Sequence, residues 1–287
     1  MQRKEVTPDL NLFPQRLHPL LEKSRVFDSS CSPEARVWFV DTGPGFYLKR
    51  SPAGTLKTEG EMDRFFHDKG FGPRVEDYFT ETHDWLLTEA VPGEDCTHPR
   101  YLEDPKRLCE TTATLLRRLH ETQINGCPVP NRTETYLKTV ERGFTLEKWE
   151  PELFAGCWDF SGPEEAIALV KERACHLKQD TLLHGDYCLP NIMLRDWALS
   201  GFIDLGCGGV GDRHIDILWG VWTLQFNLHT NKWKDRFLDA YGRESLEEEM
   251  LPMLAACEML GYKNRCRSSG QTVEKPAPPK VSEGGDV

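Results

Sequence analysis

Asp186, Asn191 and Asp204 are the side chains whose types and spacing point to chemistry. Asp186 and Asn191 lie in LLHGDYCLPNIML, residues 182–194, among neighbours that read as buried strand and turn. An unpaired charge is costly in such surroundings, so a function or a partner must hold it there. Asp204 follows thirteen residues after Asn191, at the end of the apolar run SGFID. Phosphoryl transfer needs this set: one carboxylate at the acceptor hydroxyl, and an amide with a second carboxylate for the Mg²⁺ ions that neutralise a triphosphate. Singly, each residue has an ordinary alternative as turn chemistry: Asp186 as a turn cap, Asn191 after Pro190, Asp204 as an Asx-turn. Jointly, with His184 and Gly185 in place, they favour the phosphoryl-transfer site. His184 reads as a buried hydrogen-bonding scaffold rather than a proton carrier.

The five-residue offset from Asp186 to Asn191 is that of the kinase catalytic loop, and Asp204 before Gly206 takes the place of the metal-binding Asp of D-F-G. Such a site also needs a lysine for the α- and β-phosphates and an acid on a helix to position it. Lys49, at the end of the strand FYLKR, is the candidate lysine. Glu59 or Glu61 can pair with it, and Glu59 is preferred because Met62 and Phe66 mark the inward helix face. There is no G-x-G-x-x-G near the N-terminus. The turn DSSCSPEARV, with Ser32, is the only candidate loop on the phosphate side.

The elements that must position these groups fall into two parts. ARVWFVD, GFYLKR and DWLLTEA have strand composition, with the helical stretch TEGEMDRFFHDKG between the last two. VPGED then places Pro92 and Gly93 at a turn or hinge. Beyond it the pattern is mainly helical. Asp104 and Pro105 open one helix, a capping box from Ser161 to Glu164 opens another, and residues 213–226 form a helix apolar almost all round. Helices over 232–241 and 245–260 should stop at Gly242 and Gly261, with a kink at Pro252. These patterns predict an α+β, two-lobed protein-kinase-like fold. Residues 1–91 form a small antiparallel-sheet, nucleotide-binding lobe; residues 92–263 form a larger, mainly helical catalytic and substrate-binding lobe; residues 264–287 form a disordered tail.

Against 35 basic residues stand 46 acidic ones, a net charge of −11. That argues against nucleic acid or an anionic membrane as the main partner and suits a small cationic ligand. No apolar run is long enough to span a bilayer, and the N-terminus fails the test for a secretory signal, so a cytoplasmic location is expected. The 10 cysteines show no C-x-x-C pair and no zinc-ligand spacing, and they read as reduced thiols.

From about residue 25 to 262 the sequence resembles the aminoglycoside phosphotransferase family, most closely its aminoglycoside 3'-phosphotransferase branch. SSCSPEARVWFV, FYLK, LLTEAVPGE, LLHGDYCLPNIML and SGFIDLGCGGVGDRHIDI carry the likeness. The resemblance implies an enzyme with the fold of protein kinases that moves the γ-phosphoryl group of ATP to a hydroxyl of an aminoglycoside. It implies that Asp186 is the catalytic acid/base, that Asn191 and Asp204 bind Mg²⁺, and that Lys49 with Glu59 clamps the phosphates. Ser32 would sit in the nucleotide-positioning loop, and the main chain of Glu89 and Val91 would meet the adenine. Asp159 and Glu258 would be the acceptor-side carboxylates, and the protein would be a monomer or weak dimer. Two features depart from the family pattern: Cys207 stands where Arg is usual, and the chain continues through GYKNRC past the usual C-terminus. A kinase for choline, another amino alcohol or a sugar therefore remains an alternative, as does a nucleotide-binding pseudokinase.

Overall fold

The computed structural model describes residues 3–30 and 35–261. Ser32 and the stretch from residue 264 onward lie outside the described residues. The first part of the chain forms strands β1 (Lys4–Val6), β2 (Arg25–Asp28), β3 (Arg36–Asp41), β4 (Phe46–Pro52), β5 (Val75–Thr80) and β6 (His83–Glu89). They make one antiparallel sheet in the order β1-β2-β3-β4-β6-β5. The three strands legible in the sequence are β3, β4 and β6, which sit side by side. One apolar cluster of Phe13, Leu17, Val26, Trp38, Val40, Leu48 and Trp85 is completed by Leu21 of the short helix α1 (His18–Leu21). Because side chains alternate along a strand, Lys49 points away from the face that buries Leu48.

Helix α2 (Lys57–Asp68) connects β4 to β5. Its start is tied down from β6, where the buried Asp84 carboxylate accepts the Leu56 amide at 2.9 Å. Met62 and Phe66 are fully buried, and each such burial contributes about 1.5–3 kcal/mol. That anchors the helix with Glu59 on its inner side.

After β6 the chain leaves the sheet at Val91–Gly93. Gly93 has φ +104°, and a Cβ there would lie 2.2 Å from the Leu194 carbonyl oxygen, so only glycine fits the crossing. Strand β7 (Glu94–Asp95) then pairs with β9 (Ile192–Arg195), which pairs with β10 (Ala198–Phe202), while β8 (Thr181–Leu183) pairs with β11 (Gly209–Gly211). These two small sheets carry the loops of interest. Around them pack helices α3 (Pro99–Leu102), α4 (Pro105–His120), α5 (Arg132–Thr145), α6 (Pro163–Arg173), α7 (His214–Leu228), α8 (Lys234–Tyr241) and α9 (Met250–Gly261). The fold is α+β, a sheet lobe joined to a helical lobe. No helix among the described residues is long and apolar enough to cross a membrane.

Two local expectations shift. Helix α6 starts at Pro163 rather than Ser161, and the Ser161 amide and hydroxyl both donate to Glu165, at 2.7 and 2.6 Å, not to Glu164. Proline at the first helical position sets that start. Helix α9 begins at Met250 rather than 245, so Pro252 falls in its first turn, where amide hydrogens have no partner inside the helix. The expected kink has no cause there.

Candidate active site

Lys49 lies within β4, not at its end, because pairing with β6 continues to Pro52 opposite His83. Its Nζ donates to Glu59 Oε1 at 2.7 Å and Oε2 at 3.0 Å, and to Asp204 Oδ1 at 3.0 Å. Burial alone would pull the lysine pKa down, but the Asp204 and Glu59 carboxylates outweigh it and hold the pKa above the ordinary value. The amine therefore stays charged. Glu61 instead faces Lys57, at 3.9 Å, on the outer side of α2. One turn beyond Glu59, Asp63 is 3% exposed. Its burial, and next the Glu59 charge, push its carboxyl well above the usual range.

Asp186 is positioned chiefly through its main chain. Gly185 has φ +82°, and a Cβ at that position would lie 1.8 Å from the Cys207 carbonyl oxygen, so the loop requires glycine here. The amides of His184 and Gly185 each donate to the Asp216 carboxylate of α7 at 2.7 Å. His120 Nε2 meets the same carboxylate at 3.1 Å, and His120 Nδ1 meets the Tyr241 hydroxyl at 2.8 Å. Burial lowers the His120 pKa despite the adjacent Asp216, so the ring is neutral, with its proton on Nε2 toward Asp216 and Nδ1 accepting from Tyr241. His184 is fully buried, its ring set edge-on to Tyr187 and Phe202, and its Nδ1 accepts the Asp186 amide at 3.3 Å.

Sequence reasoning passed over Asp216 and His120. The available signal was a carboxylate inside a segment otherwise apolar all round, a placement that demands buried donors.

The Asp186 carboxylate accepts from Asn191 Nδ2 at 3.0 Å and from the Cys188 thiol at 3.4 Å, and Asn191 Nδ2 also donates to the Asp186 carbonyl at 2.9 Å. With its nitrogen so engaged, the Asn191 amide presents its oxygen on the opposite side. The Ile203 amide donates to the Asn191 carbonyl at 3.0 Å, which places Asp204 next to this loop. Asp204 has φ +59°, a left-handed conformation uncommon outside glycine, of the kind that collects at functional sites. The structure thus brings Lys49, Glu59, Asp204, Asn191 and Asp186 to one place. An amide oxygen and one carboxylate are hard oxygen donors that suit Mg²⁺, which takes its remaining ligands from phosphate and water.

The sequence pattern of the phosphotransferase enzyme family matches residues 32–255. The chain belongs to that family. It is 42% identical over 259 residues, 90% of this chain and 98% of the relative, to a Lactococcus lactis protein named as a probable aminoglycoside 3'-phosphotransferase. It is 32% identical over 213 residues, 72% of this chain and 80% of the relative, to the aminoglycoside 3'-phosphotransferase of Niallia circulans. The solved structure of an aminoglycoside phosphotransferase from Streptomyces rimosus shares the fold, with TM-score 0.71 at 23% identity over 88% of this chain and 98% of that one.

In this phosphotransferase the remaining candidates lie apart from that cluster. Glu89 ends β6, its amide donating to Arg74 at 2.8 Å, and Val91 lies against Gly201 at the crossing between lobes. Asp159 is exposed and accepts the Gly156 amide at 3.2 Å. Glu258 is fully buried in α9, where its Oε1 accepts from the Tyr136 hydroxyl at 2.8 Å. Tyr136 lines a cavity of about 90 Å³ whose wall includes Arg132, Gly185, Cys207, Ile215 and Cys257. This cavity borders the Asp186 loop through Gly185, and Glu258 meets its wall at the Tyr136 hydroxyl.

Proposed function

We propose that this phosphotransferase moves the γ-phosphoryl group of ATP to a hydroxyl of an aminoglycoside, acting in the cytoplasm as a monomer or weak dimer. The observation that carries the reading is the bond of Lys49 to both Glu59 and Asp204, with Asp186 and Asn191 on the adjoining loop. The names of the relatives supply the acceptor class, and the net charge of −11 suits a polycation.

Lys49, kept charged by its two carboxylates, would bind the α- and β-phosphates. Asn191 Oδ1 and the Asp204 carboxylate would hold Mg²⁺, which neutralises phosphate charge when bound. Asp186 would accept the acceptor's hydroxyl proton, a role worth about 10²–10⁴-fold in rate. The Asn191 amide and the Cys188 thiol keep that carboxylate turned to one orientation. The main chain at Glu89 and Val91 would meet the adenine, Ser32 would belong to the phosphate-side loop, and Asp159 and Glu258 would serve the acceptor side.

The test is purified protein with Mg²⁺ and ATP against kanamycin, neomycin, streptomycin and choline, with product masses. Gain of one phosphoryl group on an aminoglycoside is expected. Phosphorylation of choline with none of the aminoglycosides modified overturns the reading.

A further inference from the structure

The stretch Asp204–Gly211, DLGCGGVG, is half glycine and carries no Lys or Arg, yet it must hold Asp204 at a fixed place. Glycine-rich backbone loses the most conformational freedom on folding, so a segment of this composition holds one shape only when something outside clamps it. Pairing with β8 and the Val210 amide donating to the Val129 carbonyl at 2.7 Å hold Gly209–Gly211; at the turn before them the clamp is Arg132, the first residue of α5. Its Nε donates to the Gly208 carbonyl at 2.9 Å, and its Nη2 donates to the Gly208 and Gly206 carbonyls at 2.6 and 3.1 Å.

One guanidinium therefore grips the peptides on both sides of Cys207, whose own carbonyl abuts Gly185, the residue before Asp186. The base of the clamp is itself fixed: the neighbouring Thr133 hydroxyl donates to the Lys178 carbonyl at 2.8 Å and accepts the Asp212 amide at 3.0 Å. A planar fork of donors can satisfy two carbonyls in a fixed relation, which a lysine ammonium cannot reproduce.

We propose that Arg132 is a positioning residue for phosphoryl transfer: by bridging the Gly206 and Gly208 carbonyls it presses the glycine-rich turn against Gly185 and sets Asp204 relative to Asp186. The inference rests on the site reading given under Proposed function, and it assigns Arg132 no contact with substrate. A misplacement of about 1 Å at a reacting centre can cost about 10²-fold.

The test uses the full chain with Arg132→Ala and Arg132→Lys. Amide hydrogen exchange is measured over 204–211 without nucleotide or metal, followed by kcat, the Mg²⁺ concentration for half-maximal rate, and the response to millimolar guanidinium ion. For Arg132→Ala the expected results are faster exchange confined to 204–211, kcat down about 10²-fold, a raised Mg²⁺ requirement, and partial recovery with guanidinium that wild type does not show. Arg132→Lys should retain the melting temperature yet keep the raised Mg²⁺ requirement; it decides the matter if the alanine variant does not fold. Unchanged exchange with Mg²⁺ dependence within about twofold of wild type overturns the proposal, as does a rate loss that follows the melting temperature alone without guanidinium rescue. Wild-type protein that phosphorylates no acceptor would overturn the function instead, and the exchange measurement would still read Arg132.

Discussion

The sheet lobe and the helical lobe hold their site residues by opposite means. Lys49 is fixed by charge, its ammonium set between the Glu59 and Asp204 carboxylates with the pair almost out of water. Asp186 is fixed by its main chain, through the Asp216 carboxylate beneath His184 and Gly185, while its own carboxylate accepts from a neutral amide and a thiol. The contrast follows from the work each residue does. A phosphate-binding lysine must stay charged, and opposite charges ensure it. A general base must instead be aimed at the acceptor hydroxyl, and the His184 and Gly185 amides tied to Asp216 fix the backbone that carries it.

The largest expected effect is on the base. Asp186→Asn should lower kcat about 10²–10⁴-fold with little change in melting temperature, because the loop's anchors are backbone amides that the substitution leaves in place. Steady-state kinetics beside a thermal melt would show it, and activity near wild type would remove the division drawn between the lobes. Next comes Lys49→Met. Removing one partner from a buried pair leaves uncompensated charge and costs about 3–5 kcal/mol, so this variant should melt far earlier and lose ATP binding. In Lys49→Met with Glu59→Gln the stability loss should be smaller than the sum of the two single losses, since the two side chains contact each other directly. Additive losses in urea titrations would mean that charge is not what holds the sheet-lobe half.

That division also sorts what the sequence made legible. Asp186, Asn191 and Asp204 stand out because their offsets are local, spanning 186–204, and because charge inside apolar runs calls for explanation. Lys49 and Glu59 are close in sequence and follow from strand and helix periodicity. Asp216 could have been found by the same logic, but its partners His184 and His120 lie 32 and 96 positions away, and no local pattern specifies such a pairing. Arg132 reads in sequence as an ordinary polar residue after a loop; only the fold carries it to Gly206 and Gly208. Pro252 reads as a kink because helix starts are weakly encoded, and a shift of a few residues turns an interior proline into a first-turn one. The acceptor-side residues were least legible, since Asp159 on a surface loop and Glu258 inside α9 share no spacing that chemistry imposes.

Asp216→Asn sharpens the comparison with a smaller effect. Asparagine keeps one acceptor oxygen but turns a donor toward the second of the His184 and Gly185 amides. Leaving one such buried group unsatisfied costs about 1–3 kcal/mol. The prediction is a lower melting temperature and a lower kcat, with nucleotide affinity close to wild type because Lys49 and Glu59 are untouched. Calorimetric ATP titration distinguishes the cases, and a loss of affinity like that of Lys49→Met would show that the halves are not separately held.

The smallest effect is on pH. His120 is buried and neutral against Asp216, with its pKa below the ordinary 6.5. Between that value and the lower folded one, the unfolded chain binds the proton and the folded chain does not, so stability rises with pH. The contribution is complete above about 6.5 and is lost as pH falls toward the folded pKa. Asp212 does not interfere in this window. Burial alone would raise its pKa, but the hydrogen bond and charge of His214 hold it below 3.8, so its contribution is lost only in stronger acid. Asp63, whose carboxyl pKa is raised by burial, contributes with the opposite sign in this window but equally in both proteins, so the melting temperature of wild type should fall relative to that of His120→Gln between pH 7.5 and 5.5, the variant being less stable throughout. An equal slope in the two proteins would mean that His120 is not the group taking up the proton, and that the anchor beneath Asp186 is insensitive to mild acid.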